Sequence, residues 1–289
     1  MIADDYTQLV AHVLAHVPLA GPGDLHDPRY VAWAGAVDPD DAVLLASDAA
    51  LLARLWAADP RYDRLHLLPE LHRGWAGFVA TAGRALAELD PDEVALPAAL
   101  PGLVELDGAE LIHATLAAIG PGFARRLARE RASLDAAAAA VRAELDGLGE
   151  LVPGLADARI ELVWALGVHG RALPSRILVG APVAWSGCSP ARQAVLAAHE
   201  HTLARVAIGD YVGDEWRALL GLSEALAAAP ERLRDAHREW LASLDLAPLL
   251  AEVVARGWLS ASEAAAMHER PRERAERLRR AGPAGGSAR

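Results

Sequence analysis

The triplet His199, Glu200 and His201 combines side chains that can bind a metal ion with one that can transfer a proton. Two histidines four residues apart on a helix project from one face and can hold one zinc ion, while a glutamate beside the first can reach a metal-bound water. His199 and Glu200 fit this pattern, but Leu203 stands four residues after His199. His201 is two residues on, about 200° around a regular helix, so both histidines could ligate one ion only if the helix were distorted.

The surroundings of this triplet, over about residues 121–229, resemble those of the glutamate-type zinc peptidases, the gluzincins. In that family a long helix precedes a small sheet, and an edge strand of the sheet lies against the peptide substrate. A helix with the sequence HExTH follows, and a second helix supplies a glutamate ligand. Here Thr202 occupies the threonine position, and Glu224, in the segment LSEALA, is separated by 20 residues from Leu203.

The resemblance implies a role for each residue that matches the family's motif. His199 corresponds to the first zinc ligand, Glu200 to the general base and Glu224 to the third ligand. Leu203 departs from the pattern at the second ligand, and catalytic zinc sites usually have three protein ligands. A histidine from elsewhere could complete the site. The candidates are His201, His237 and His268.

Each of these residues also has a purely structural interpretation. His199 lies on an apolar helical stripe and could be a core histidine with a buried hydrogen-bond partner. Glu200 could form an ion pair with an arginine, and Glu224 could be a solvated residue of an alanine-rich helix. His201 is more readily explained as a partly exposed histidine, and His237 as a solvated one on an arginine-rich helical face.

The composition limits the classes of partner. Of the 289 residues, 39 are acidic and 28 are basic, which gives a net charge of -11. This charge disfavours nucleic acids and anionic membrane surfaces. The single cysteine excludes an internal disulfide, and no apolar run is long enough to span a bilayer. We therefore expect a cytoplasmic protein that binds a peptide or a small molecule in a cleft, with no nucleic-acid or membrane partner.

Helical patterns dominate the chain. From Gly120 and Pro121 onwards, apolar residues recur at helical spacing. This pattern predicts a long helix over 121–148. Ser189 and Pro190 are a helix cap and a first-turn proline, so they predict the start of the helix that carries the triplet. A later helix is predicted to start at Ser260, which has a glutamate three residues on in the spacing of a capping box.

Two segments favour β-strands, 159–166 and 175–180. They could pair with each other as a hairpin or belong to a somewhat larger sheet. The resemblance makes 175–180 the candidate edge strand for a substrate.

The predicted fold class is mainly α with a small β-sheet (α+β). We divide the chain into a helical N-terminal lobe (1–120), a gluzincin-like domain (121–280) and a disordered tail (281–289). The predicted function is that of a metallopeptidase-like protein with a degenerate zinc site. It would be a divergent hydrolase of a peptide-like amide or an inactive, repurposed relative, and zinc is the cofactor that the resemblance implies. The alternative is a non-catalytic helical interaction or scaffold protein.

Overall fold

A computed structural model describes residues 1–16, 27–37, 101–173, 175–206 and 210–265. The described helices are α1 (Asp5–Ala15), α2 (Pro28–Val37), α3 (Pro101–Gly149), α4 (Pro190–Val206), α5 (Tyr211–Ala225), α6 (Glu231–Ser243) and α7 (Ala247–Ala255). The described strands are β1 (Ile160–Val163), β2 (Gly170–Leu173) and β3 (Arg176–Gly180). The protein is mostly helical with one small sheet, which confirms the predicted fold class. The predicted tail lies outside the described residues.

Helix α3 begins earlier than the sequence predicts. It runs from Pro101 and continues through Pro121, the residue at which the predicted helix 121–148 begins. A proline inside a helix removes one backbone hydrogen bond and costs about 3 kcal/mol. The apolar stripe continues across it, because Leu116, Ile119 and Phe123 are all buried. Burial of this uninterrupted stripe accounts for a helix that passes the proline.

The prediction of a hairpin between 159–166 and 175–180 is wrong. Strand β1 runs parallel to β3, and the strand order in the sheet is β1-β3-β2. The segment between them forms β2 and pairs antiparallel with β3. The alternative of a larger sheet is therefore correct. Because β3 is the central strand, it is not the edge strand. Strand β2 lies at one edge, and Ile2 forms a parallel bridge with Leu162 on the other side of β1.

A hydrophobic core connects the sheet with the helices that precede it in the sequence and with those that follow it. Ala11 of α1 and Tyr30 of α2 belong to the same buried cluster as Leu162 of β1, Val195 of α4 and Trp240 of α6. Much of the predicted N-terminal lobe lies outside the described residues, so its boundary near residue 120 stays a prediction. Among the described residues, no helix is both long enough and apolar enough to cross a membrane.

A buried polar cluster fixes α1 and α2 on α3. His12 Nδ1 lies 2.8 Å from the hydroxyl of Tyr30, and Arg126 Nη2 lies 3.2 Å from His12 Nε2. The Arg126 guanidinium stacks over Phe123 and Trp33, at 5.3 and 5.8 Å from the ring centroids. Burial, followed by the charge of Arg126, holds the pKa of His12 well below its usual value. The cluster therefore has a structural role in holding three helices together.

The close contact between Gly180, at the end of β3, and the backbone of Gly167 can be tested by substituting Gly180. A Cβ on Gly180 would overlap the backbone oxygen of Gly167, which cannot move independently of its chain. We expect Gly180→Ala to lower the free energy of unfolding by about 1–3 kcal/mol in a chemical denaturation experiment.

Gly147 in α3 is the matched control. A Cβ there would lie 3.9 Å from Leu233 Cδ1, which is an ordinary van der Waals distance. Gly147→Ala should leave stability unchanged or raise it by up to about 1 kcal/mol, since alanine is the better helix former. Equal effects at the two positions would contradict the packing described for Gly180.

Candidate functional site

Helix α4 carries the predicted site and begins where the sequence indicates. Ser189 Oγ accepts a hydrogen bond from the backbone N–H of Arg192 at 3.2 Å, and Pro190 is the first helical residue. The next turns are lined with small side chains, and Ala194, Ala197 and Ala198 are fully buried. Small residues let a helix approach its neighbours closely. As a result, His199 is buried between α4 and the helices that follow, and Glu200 is partly buried against the sheet.

His199 is paired with a carboxylate that the sequence pattern did not select. Its Nε2 lies 3.1 Å from Glu215 Oε1 on α5, and the two side chains are 4% and 17% exposed. Its other nitrogen, Nδ1, is buried and has no hydrogen-bond partner among the residues that the structure describes. In a neutral imidazole one nitrogen carries the proton and the other the lone pair. In the neutral form that donates Nε2–H to Glu215, the lone pair is therefore on the buried Nδ1.

Glu200 connects α4 to the edge strand of the sheet. Its Oε2 accepts the backbone N–H of Ala172 in β2 at 2.9 Å. Burial raises the pKa of the Glu200 carboxyl, and the nearby charge of Glu215 adds to this increase. His199, the Ala172 hydrogen bond and Arg171 oppose the shift without cancelling it. A carboxyl with a raised pKa is a stronger base, and such groups are common in active sites.

The other predicted ligands do not join His199. His201 Nε2 lies 3.0 Å from the backbone oxygen of Pro153, on another side of α4. The Glu224 side chain is exposed, although His199 is buried. Leu203 is partly buried and has no atom that could replace a histidine ligand. Thus His199 contacts α5, Glu200 contacts the sheet, and His201 and Glu224 lie away from His199.

His237 lies in the core rather than in solvent. The sequence pattern predicts a solvated residue on α6, but only 7% of His237 is exposed and its Nε2 has no hydrogen-bond partner. Burial, followed by the charges of His199 and Arg238, lowers its pKa from 6.5 to about 4. His199 and His237 both pack on the indole of Trp240, with ring centroids 4.7 and 6.0 Å from it. The site therefore extends to a third helix.

The sequence contained a signal for the burial of His237 but none for the selection of Glu215. On α6 the residues Leu233, Ala236, His237 and Trp240 share one face at helical spacing, and all four are buried. That pattern would have placed His237 inward despite its arginine neighbours. No local pattern distinguishes Glu215 from the other acidic residues near it. Only the packing of α5 against α4 selects it.

The ligand set implied by the resemblance does not fit a zinc ion. His201 points to Pro153, Glu224 is exposed, and the second ligand position is leucine. Within the described ranges, no group of three or more His, Cys, Asp or Glu side chains is arranged to hold a metal ion. His268 lies outside these ranges. The residues that match the family's motif therefore do not form a catalytic zinc centre by themselves.

Comparisons with protein-family models, with curated proteins and with solved structures found no match to this chain. Its function is therefore inferred from the geometry of the site.

The raised pKa of Glu200 predicts how its substitution changes stability. A carboxyl whose folded pKa lies above its usual value of 4.5 favours folding below that pH and opposes it as pH rises through the folded pKa. Glu200→Gln keeps an acceptor for the Ala172 N–H but carries no charge. We expect this variant to gain thermal stability over the unmodified protein as pH rises from about 4.5 to 8.

Thermal denaturation at a series of pH values would measure this difference. The exposed Glu224 provides the matched control, as Glu224→Gln makes the same chemical change at the surface. Glu200→Ala should be less stable than Glu200→Gln at every pH, because it also removes the acceptor of the strand N–H. A pH trend that is the same for Glu200→Gln and Glu224→Gln would show that burial does not perturb Glu200.

Proposed function

We propose that this protein is a divergent, gluzincin-like hydrolase that acts on a peptide-like amide, with Glu200 as its general base. The observation that carries the proposal is the position of the Glu200 carboxylate. It contacts the edge strand through the Ala172 N–H, and it lies within the fields of His199 and Glu215. A base with a raised pKa next to an edge strand is suited to a substrate that is itself an extended chain.

The order of the elements supports the proposal. The long helix α3, the small sheet, the helix α4 with the triplet, and a further helix with a carboxylate follow one another as in the gluzincin layout. The edge strand is β2 rather than the segment 175–180. An extended peptide can add to such an edge by backbone hydrogen bonding.

The role of Glu200 follows from its two carboxylate oxygens. Oε2 accepts the N–H of Ala172 in the edge strand. Oε1 would accept a proton from a water molecule as the water oxygen bonds to the amide carbon. When the amide C–N bond breaks, the same carboxyl would return the proton to the leaving nitrogen, which balances the hydrolysis. General-base assistance of this kind contributes roughly 10²–10⁴-fold to rate.

A second candidate function is that of a non-catalytic relative that binds a peptide or a small molecule without cleaving it. Two observations favour it: Leu203 occupies the second ligand position, and Glu200 is bonded to the strand backbone. In this alternative, Glu200 serves only to hold α4 against β2.

Hydrolysis of a quenched fluorescent peptide library separates the two functions. We expect cleavage by the purified full chain and a decrease in kcat/KM of about 100-fold or more in Glu200→Gln. Glu224→Gln, with its exposed side chain, should retain activity and controls for the loss of a negative charge.

Cleavage that is equal in Glu200→Gln and the unmodified protein would refute the assignment of the base. No cleavage of any peptide, together with chemical-shift changes of the Gly170 and Ala172 amides when peptides are added, would favour the non-catalytic relative.

A further inference from the structure

A cavity of about 340 Å³ lies between the end of α3 and the first residue of β1. Ligand pockets have volumes of about 300–1,000 Å³, so this cavity has room for a small molecule. We infer that it is a binding site for a small zwitterion of about the size of a dipeptide, with an ammonium group at one end and a carboxylate at the other. The inference goes beyond the proposed function and does not depend on it.

Part of the cavity lining is apolar and belongs to the protein core. Leu145 of α3, Leu155 and Ile160 of β1 line the cavity and are 7%, 2% and 5% exposed. In small-molecule sites an apolar lining excludes water, and a few polar groups orient the ligand. The apolar residues therefore supply the surface against which the middle of the ligand packs.

Three charged side chains at the end of α3 also line the cavity. Arg142 and Asp146 are four residues apart on one face of the helix, and Glu150 directly follows its last residue. All three are exposed, and none forms an ion pair with another described residue. Arg131 and Asp135, which have the same spacing earlier on α3, do form an ion pair at 3.4 Å. The charges at the cavity are therefore available to a ligand.

Arg159, on the β1 side of the cavity, is held in place by a buried network. Its Nε donates a 2.6 Å hydrogen bond to Glu161 Oε1. Glu161 is buried, and its other oxygen accepts a 2.7 Å hydrogen bond from Arg176 Nη1. These bonds orient the Arg159 guanidinium and leave some of its five N–H groups for another acceptor. An oriented guanidinium is a favourable partner for a carboxylate, because less side-chain entropy is lost on binding.

The positions of the charges select the ends of the ligand. Asp146 and Glu150 lie at the C-terminal end of α3, where the helix dipole also attracts a positive charge. The ammonium group of the ligand would lie near these carboxylates, and its carboxylate near Arg142 and Arg159. Asp146 follows Arg142 by about 6 Å along the helix axis. An α-amino acid carries both charges on one carbon atom, whereas an extended dipeptide separates them by roughly 6–7 Å.

The cavity is separate from the site around Glu200. It borders β1, whereas Glu200 contacts β2, and the central strand β3 lies between these two strands. A ligand in the cavity would therefore not contact the proposed general base.

Amide NMR spectra of the full chain with δ-aminovalerate test the inference. This probe carries an ammonium group and a carboxylate at a separation close to that in a dipeptide, but it has no amide bond to cleave. We expect it to shift the amide signals of Gly149 and Ile160 and to bind with a Kd of about 1 mM or below. Pentanoate and pentylamine each lack one of the two charges, so they should bind about 3–10-fold more weakly.

Substitutions on the two sides of the cavity test its residues. Arg142→Gln and Asp146→Asn should each weaken the binding of δ-aminovalerate by about 3–10-fold, because each removes one charge contact. Arg131→Gln and Asp135→Asn make the same changes earlier on α3 and should leave the Kd unchanged. Ala156→Leu fills part of the cavity from an exposed position, so it should prevent binding without disturbing the core.

The results would be independent of those of the peptide assay. The inference would be overturned if δ-aminovalerate left the Gly149 and Ile160 signals in place, if pentanoate or pentylamine bound equally well, or if Ala156→Leu had no effect on binding. Peptide cleavage that depends on Glu200, without binding of the probe, would refute the cavity site and leave the hydrolase proposal intact. Binding of the probe without peptide cleavage would do the reverse.

Discussion

The close approach of α4 to strand β2 is the constraint on which the site depends. A Cβ on Gly170 would lie 3.0 Å from Leu196 Cγ and 3.2 Å from Glu200 Cγ, so the helix occupies the space that a larger residue would need. This closeness allows the Glu200 carboxylate to reach the Ala172 N–H. The glycine of the edge strand and the alanines of α4 both have small side chains. Small side chains allow the helix and the sheet to approach each other closely.

On the side of α4 that faces away from β2, polar groups lie in a region that is otherwise apolar. His199 faces Glu215 of α5 and the Trp240 indole of α6, and His237 lies against the same indole. Burying such groups is unfavourable unless their hydrogen bonds are satisfied. Three helices therefore converge on two ring nitrogens that have no hydrogen-bond partner among the described residues. Burial lowers the pKa of one of these rings, His237, and buried groups with shifted pKa values are more frequent at functional sites than in ordinary cores.

The residues that the gluzincin motif selects do not all lie near His199. Thr202, which matches the family's threonine, donates its hydroxyl hydrogen bond to the Ala198 oxygen within α4. Glu215 lies beside His199, where the family pattern suggested Glu224. Another carboxylate of α5 and a histidine from α6 thus lie near the triplet.

The sequence alone determined the structural features that depend on residues close to one another in the chain. It predicted the cap at Ser189 and Pro190, and the reciprocal bonds between Ser260 and Glu263, where Glu263 Oε2 accepts the Ser260 N–H at 2.8 Å and Ser260 Oγ accepts the Glu263 N–H at 3.2 Å. It also predicted a mainly helical protein with a small sheet, because apolar periodicity is a local property of each segment.

Only the tertiary structure decided the strand order and the composition of the site. Strands β1 and β3 are parallel because β2 lies between them in sequence and occupies the outer position in the sheet. The selection of Glu215 and the burial of His237 result from contacts between helices that are distant in the chain. The physical reason is that a helical pattern shows which face of a helix is buried, whereas the neighbours of that face depend on how all the helices pack together.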